Sequence, residues 1–355
     1  MTRPLVSICV PTCNRSALLR ESLASIRRQD YPNLEILISD NHSADETEQI
    51  CRTAAAADPR VRYVRQPRNI GMHANHNFLI EESRGDFLAF FHDDDIYQPH
   101  IVSTYVDFLA SRPAVGLVCS DWGLIDETGR SIGVRRHTAL PVTPGYDYID
   151  QTVRSGQSLL GCPGTMIRRS ALGDVRFDQD GPVGFGDFAV WFEVAEGADV
   201  GHVDGVLWDY RLHTRAFSRR TITSVARDYA LAIETYCDRH LRRHQARRAR
   251  VERWRRCARG FLFWALAYEI GLAFRRPESS ARMDGRYRTV FELADYRLDP
   301  QELAAALVQL REYRAGALQT LAQQTIALLV WARFTQPLEW AARYPMLMRR
   351  LLGIR

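Results

Sequence analysis

The chain has 355 residues, 46% hydrophobic and 25% charged, which is the composition of a soluble globular protein. That excludes a disordered tail, a collagen-like fibre and a disulfide-dense toxin. All 47 basic residues are arginine, and a chain without lysine has neither a Walker-type phosphate loop nor Schiff-base chemistry. The net charge of +5 hides an asymmetry: residues 1–227 hold 24 arginines against 29 acids, and residues 228–355 hold 23 against 13.

The front of the chain alternates strands and helices. Leu5–Val10 is an apolar run of strand length, and Ser16–Gln29 has helical spacing through Leu18, Leu19, Leu23 and Ile26. Leu34–Ser39 predicts a second buried strand, Glu46–Ala57 an alanine-rich helix and Val61–Val64 a short third strand. A helix near His73–Ser83 leads into a strand at Phe87–Phe91, and after another helix comes a strand at Val115–Ser120. Strands spaced by helices imply an α/β domain with a mostly parallel, doubly wound sheet. From about Arg227 the segments Tyr229–Arg259, Phe261–Phe274, Pro300–Arg314 and Leu318–Phe334 read as helices. The apolar run Gly260–Phe274 contains Glu269 and is shorter than the ~20 residues of a membrane span, so a buried helix is expected there.

Motifs of other enzyme classes are absent. There is no HExxH, no GxSxG and no well-placed GxGxxG, which argues against zincins, esterase-type hydrolases and dinucleotide enzymes. The seven cysteines, Cys9, Cys13, Cys51, Cys119, Cys162, Cys237 and Cys257, are scattered without a CxxC pair. With no signal-peptide pattern at Met1–Cys9, a reducing, cytoplasmic location is expected.

In a sheet of this kind ligands bind beyond the carboxyl ends of the strands. The first strand is followed by Pro11-Thr12-Cys13-Asn14-Arg15, the second by Asp40-Asn41-His42-Ser43-Ala44-Asp45, and the fourth by His92-Asp93-Asp94-Asp95. Turn and cap chemistry explains the first two equally well. Three adjacent carboxylates repel one another unless solvent or a cation relieves them, and Mg²⁺ or Mn²⁺ favours such oxygen ligands.

The stretches VSICVPTCNR, ILISDNHSAD, NIG at Asn69–Gly71 and GDFLAFFHDDDIYQP, in that order, resemble the nucleotide-sugar domain of family 2 glycosyltransferases over about residues 1–220. GFGDFAVWFEVAEGADVGHVDGVLWDYRLH at Gly184–His213 resembles the acceptor half of the same family, with an acid four positions before a tryptophan and a last strand ending Tyr-Arg-x-His. The resemblance implies a GT-A fold over residues 1–225, with a nucleotide-sugar-binding half (1–120) and an acceptor-binding half (121–225), followed by a basic helical domain over 226–355. It further implies that Pro11, Thr12, Cys13, Asn14 and Arg15 line the base and ribose, with Asn69 in the same nucleotide-binding set. Asp40 would bond the base, and Asp93 would lie beside the ribose or diphosphate. Asp94, with Asp95 and His213, would hold Mn²⁺ or Mg²⁺, and Asp187 would be the general base of an inverting transfer from a UDP-sugar, or a dTDP-sugar, to an acceptor hydroxyl.

Four positions depart from the family pattern: Cys13 where an aromatic residue is common, His92 at the first place of the D-x-D pattern, Gly186 where an acid often stands, and Ala74-Asn75-His76-Asn77 for the usual Arg-Asn. Asp187 before Phe-Ala-Val-Trp also suits a helix N-cap, His213 also suits an ordinary strand end, and Trp191 reads as core.

Ten arginines fall within Arg239–Arg259, with Glu252 as the only acid. A solvated face balancing the acidic front is the first reading, contact with an anionic membrane surface the second and nucleic-acid binding the third. The helices are expected to shape a cleft for a small-molecule, glycan or lipid-linked acceptor, or to form a homodimer interface. Two rival functions stand beside glycosyl transfer. A nucleotidyltransferase would want glycines in the first loop, which Pro11–Arg15 lacks. A nucleic-acid-binding module would rest on the arginine-rich helix alone.

Overall fold

The computed structural model describes residues 3–137, 139–156, 158–181, 183–212 and 222–258. His213 and the helices expected from residue 261 onward lie outside the described residues. The described elements are β1 (Val6–Thr12), α1 (Ser16–Arg27), β2 (Leu34–Asp40), α2 (Thr47–Ala57), β3 (Val61–Arg65), α3 (Met72–Glu82), β4 (Phe87–Phe90), β5 (Ile96–Tyr97) and α4 (Ile101–Ala110). They continue with β6 (Val115–Ile125), β7 (Ser131–Arg135), β8 (Val142–Thr143), α5 (Gly145–Ser155), β9 (Thr165–Arg168), α6 (Arg169–Leu172), α7 (Gly186–Ala195), β10 (Asp199–Arg211) and α8 (Ile222–Arg243).

One sheet runs β3-β2-β1-β4-β9-β6-β10-β5, with β7 beside β6 and β8 beside β10. The first half, β3-β2-β1-β4, is parallel throughout. Beyond β4 the sheet becomes mixed, because β9 inserts antiparallel between β4 and β6 while β6 and β10 pair in parallel. The parallel strands are apolar on both faces for a physical reason: helices cover both sides. Val6, Ile8 and Val10 of β1 pack into one core with α1 and α4, while Cys9 faces a second core built on α3, α5 and α7.

The helix expected over Tyr229–Arg259 is broken. It stops at Arg243, a short 3-10 turn spans Gln245–Arg247, and residues 248–258 are helical again. The break turns the chain back, so that Trp254 packs on Tyr236 and His240 and donates to Asp150 Oδ1 at 2.6 Å. Tyr229, Ile233, Tyr236, Val251 and Trp254 join the same buried cluster as Tyr148, Trp191 and Phe192. Up to residue 258, therefore, the helical segment shares its core with the α/β domain. Arginines on it meet acids of the front: Arg243 pairs with Glu193 at 3.1 Å and Glu196 at 2.8 Å, and Arg239 with Asp178 and Glu193. Arg255 pairs with Glu234 and Asp238 of α8.

Candidate active site

The three loops singled out in the sequence meet at one end of the sheet because their strands are in register. Thr12 lies opposite Asp40 across β1 and β2, and Cys9 opposite Phe90 across β1 and β4. The first two loops are laced together. The Asn14 backbone N–H donates to Ser43 Oγ at 2.9 Å, and Asn14 Oδ1 accepts from Ala44 N–H at 2.8 Å. Asn14 and His42 are the described non-glycine residues with positive φ, at 53° and 65°. A left-handed backbone at one residue in each loop marks a site held in place by its surroundings. Asp45 ties the loops to both adjoining helices, accepting from the Ser16 N–H at the start of α1 at 2.9 Å and from the Thr47 hydroxyl at 2.6 Å.

Asp40 is placed differently from its expected role. Its exposure is 0%; Oδ1 accepts from the Ser43 N–H at 2.8 Å and Oδ2 from the Tyr63 hydroxyl at 2.8 Å. In this arrangement it offers no surface to a base. It fixes the turn after β2 and the ring of Tyr63 instead, a consequence of β3 pairing alongside β2, which no pattern within the second loop shows. Asn69 does lie at the exposed rim, where its Oδ1 accepts from Asn41 Nδ2 at 3.0 Å and from the Gly71 N–H at 2.9 Å.

The aspartate run forms a buried, charge-dense floor. Asp93, Asp94 and Asp95 are 3%, 8% and 0% exposed. Arg15 does not simply line the first loop: its Nη1 reaches Asp93 Oδ1 at 3.0 Å and Asp94 Oδ2 at 2.5 Å. Burial pushes the Asp93 carboxyl up to about 6, the Asp94 charge adds to this, and Arg15 opposes both. Asp95 is raised well above the usual carboxylate range, again by burial first and by Asp94 second. Its Oδ1 accepts from the Arg211 N–H at 2.9 Å, while Oδ2 is buried with no hydrogen-bond partner. An orphaned carboxylate oxygen beside another carboxylate suits a hard divalent cation, whose oxygen ligands would come from Asp94 and Asp95.

Arg211 was not expected to matter beyond its place in the Tyr-Arg-x-His ending. It is 1% exposed at the end of β10. Its Nε donates to the Asp94 carbonyl at 2.8 Å and its Nη2 to Glu21 Oε2 at 2.6 Å, pinning the aspartate loop to β10 and α1. The only sequence signal for it was that motif, since these two partners lie 117 and 190 residues away in the chain.

Asp187 occupies the first turn of α7, and its carboxyl is raised from its ordinary value near 3.8 to about 7. Burial is the cause, partly offset by N–H groups of its own helix turn. Cys162 links it to the aspartate floor: burial first, then the charges of Asp187 and Asp95, hold this thiol well above its usual range. Gly186 leaves no room for a Cβ because the His73 ring packs against it, which accounts for the missing acid there. Asn75 and Asn77 are structural pins, Asn75 bonding Ser39 and Asn77 bonding the Phe177 backbone in both directions. Trp191 is 0% exposed and lies in the core against Phe90 and Phe177.

A parallel half, a mixed half and an acidic cluster at the strand ends define the GT-A class of α/β fold. The sequence model of Glycosyl transferase family 2 matches residues 7–176, just under half of the chain. A GalNAc(5)-diNAcBac-PP-undecaprenol beta-1,3-glucosyltransferase of Campylobacter jejuni is 37% identical over 93 residues, 26% of this chain and 30% of that protein. The putative colanic acid biosynthesis glycosyl transferase WcaA of Escherichia coli is 34% identical over 103 residues, 29% of this chain and 37% of its own length. The chain thus spans only about a third of these curated relatives. Among solved structures, S. aureus TarS 1-349 in complex with UDP-GlcNAc superposes with a TM-score of 0.57 at 16% identity, covering 98% of this chain and 90% of that one. The mannosyltransferase PcManGT of Pyrobaculum calidifontis, in complex with GDP-Man and Mn²⁺, gives 0.56 at 18% identity, covering 88% and 89%. At these identities the likeness is one of fold.

Proposed function

We propose that the protein transfers a sugar from a nucleoside-diphosphate sugar, UDP-linked in the first instance, to an acceptor hydroxyl with inversion at C1. The observation that carries the reading is the buried aspartate floor with its unpartnered Asp95 Oδ2. Asp94 and Asp95 would hold Mn²⁺ or Mg²⁺, which when bound supplies charge neutralisation for the departing diphosphate. Arg15 is the mobile partner in this scheme. Its guanidinium, 31% exposed at the side chain, leaves Asp94 and turns to the diphosphate, a bidentate recognition that arginine's planar fork suits.

Pro11, Thr12, Cys13, Asn14 and Asn69 border the base and ribose in this reading, and Asp40 acts through Tyr63 and the Ser43 turn instead of touching the base. Asp187, with an ionisation near 7, accepts the proton of the attacking hydroxyl at the pH where it is half ionised. One carboxylate base opposite one leaving diphosphate gives a single displacement, hence inversion. The UDP choice is supported by the UDP-GlcNAc complex of TarS, and a lipid-linked diphosphate acceptor by the name of the Campylobacter relative. Among the described residues no helix is long and apolar enough to cross a membrane. Contact with a membrane surface would fall to the arginines of residues 239–258 that acids do not pair.

The test is a thermal-shift panel of UDP, dTDP and GDP with and without Mn²⁺, since a ligand that binds only the folded state raises its stability. UDP with Mn²⁺ should give the largest shift and Asp94→Ala should remove the metal-dependent part. Equal shifts with and without Mn²⁺ would remove the metal from the scheme.

A further inference from the structure

Beside the aspartate floor lies a second cluster of different chemistry. His76 comes from the middle of α3, His92 from the residue pair after β4, and Cys162 from the turn that precedes β9. One ligand atom from each lies within 4.8 Å of the other two. We propose that His76, His92 and Cys162 form a site for a soft divalent cation, Zn²⁺ above all; His92 stands between it and the oxygen site, since one of its ligand atoms also lies within 4.8 Å of carboxylate oxygens of Asp94 and Asp95.

Two independent features support it. The His76 ring is oriented for the task. Its Nδ1 lies 2.9 Å from the Met72 carbonyl, which can only accept, so Nδ1 carries the proton and Nε2 presents its lone pair. That Nε2 faces Cys162 Sγ at 3.9 Å, close to the ~3.6 Å nitrogen–sulfur edge of a tetrahedral zinc centre with ordinary bond lengths. Second, His92 Nε2 is buried with no hydrogen-bond partner, a vacancy for a donor or a cation. The rings of Phe90 and Phe177 pack on His76 and give the cluster an apolar shell.

A thiol and two imidazoles are soft and borderline ligands, whereas Mg²⁺ and Mn²⁺ favour carboxylate oxygen. Loading would form the metal–sulfur bond and release the Cys162 thiol proton to solvent, with no change of oxidation state. Three protein ligands leave a fourth position for water. The inference does not rest on glycosyl transfer; its readout is metal binding itself.

The experiment uses the full chain, stripped with a chelator and kept in excess Mg²⁺ so that the carboxylate site is filled. Co²⁺ is titrated as a spectroscopic substitute for Zn²⁺. One equivalent should develop a thiolate-to-cobalt charge-transfer band in the near ultraviolet together with the strong visible bands of a tetrahedral site, and Zn²⁺ should displace both. Cys162→Ser should lose the charge-transfer band, and His76→Gln should weaken Co²⁺ binding by roughly tenfold or more. His244→Gln, which alters a separate cluster of Glu196, His240 and His244, should leave the band intact. Circular dichroism and melting in metal-free buffer verify each fold; if His76→Gln fails to fold, Cys162→Ser carries the test. Absence of the thiolate band in the wild type, its persistence in Cys162→Ser, or its loss in a folded His244→Gln protein each overturns the proposal.

Discussion

Replacing Asp187 with asparagine separates a base from a hydrogen-bond acceptor in the first turn of a helix. The N-cap of α7 is Phe185, and asparagine keeps a side-chain oxygen for the N–H groups of residues 187 and 188 that the carboxylate meets. It cannot take a proton. General-base assistance contributes typically 10²–10⁴-fold, equivalent to about 3–5 kcal/mol of barrier, so transfer should fall by that factor while UDP affinity stays near wild type. The ionisation near 7 adds a second signature. In the wild type kcat/KM should rise about tenfold per pH unit up to about 7 and then level off, and the asparagine protein should lose that limb. Stability moves the other way. The folded carboxyl keeps its proton up to about 7, whereas the unfolded chain releases it near 3.8, so the folded state holds more protons in that window and is destabilised as pH rises through it. The effect is at most about 4 kcal/mol. Asp187→Asn is free of it and should melt at or above the wild-type temperature at alkaline pH. Initial rates of nucleoside diphosphate release across this pH range, with melting curves on the same samples, provide the measurement. A variant retaining half its rate at saturating donor, or an unchanged acidic limb, refutes the role.

Asp95→Asn keeps the acceptor for the Arg211 N–H and removes a carboxyl whose ionisation burial and Asp94 oppose, so the metal-free protein should melt higher at alkaline pH while Mn²⁺-dependent UDP binding, read by calorimetry, is lost. Arg211→Met should leave the Asp94 carbonyl and Glu21 without their partner, costing about 2–4 kcal/mol in urea unfolding and lowering turnover beyond what the stability loss explains. Asp45→Ala should cost about 1–2 kcal/mol in the same assay, because its carboxylate accepts from the first N–H of both α1 and α2, and should weaken nucleotide binding through the loosened loops. Trp254→Ala should destabilise by about 3–5 kcal/mol and broaden the unfolding of the whole domain; a separate, earlier transition confined to the helices would show that residues 248–258 are not part of the shared core.

Much of this protein is legible in its sequence. Apolar runs such as 5–10 and 34–39 are strands because parallel strands covered on both faces must be apolar on both, and the polar residues after them fall at the strand ends, the edge where sheets of this kind bind ligands. The aspartate run, the Asp187 helix start and the family motifs are local patterns, and locality is what a sequence displays. Partnership across the sheet is not local. Only the tertiary structure turns Arg15 onto Asp93 and Asp94, sinks Asp40 behind Tyr63, and brings Arg211 to a carbonyl 117 residues away. Only packing breaks the helix expected at 229–259 and folds its arginines against Glu193, Glu196, Glu234 and Asp238. Composition counts those charges, but whether each is solvated, paired or left waiting for a cation depends on which strand ends and helix faces lie within a few ångströms, and that distance exists only in the folded chain.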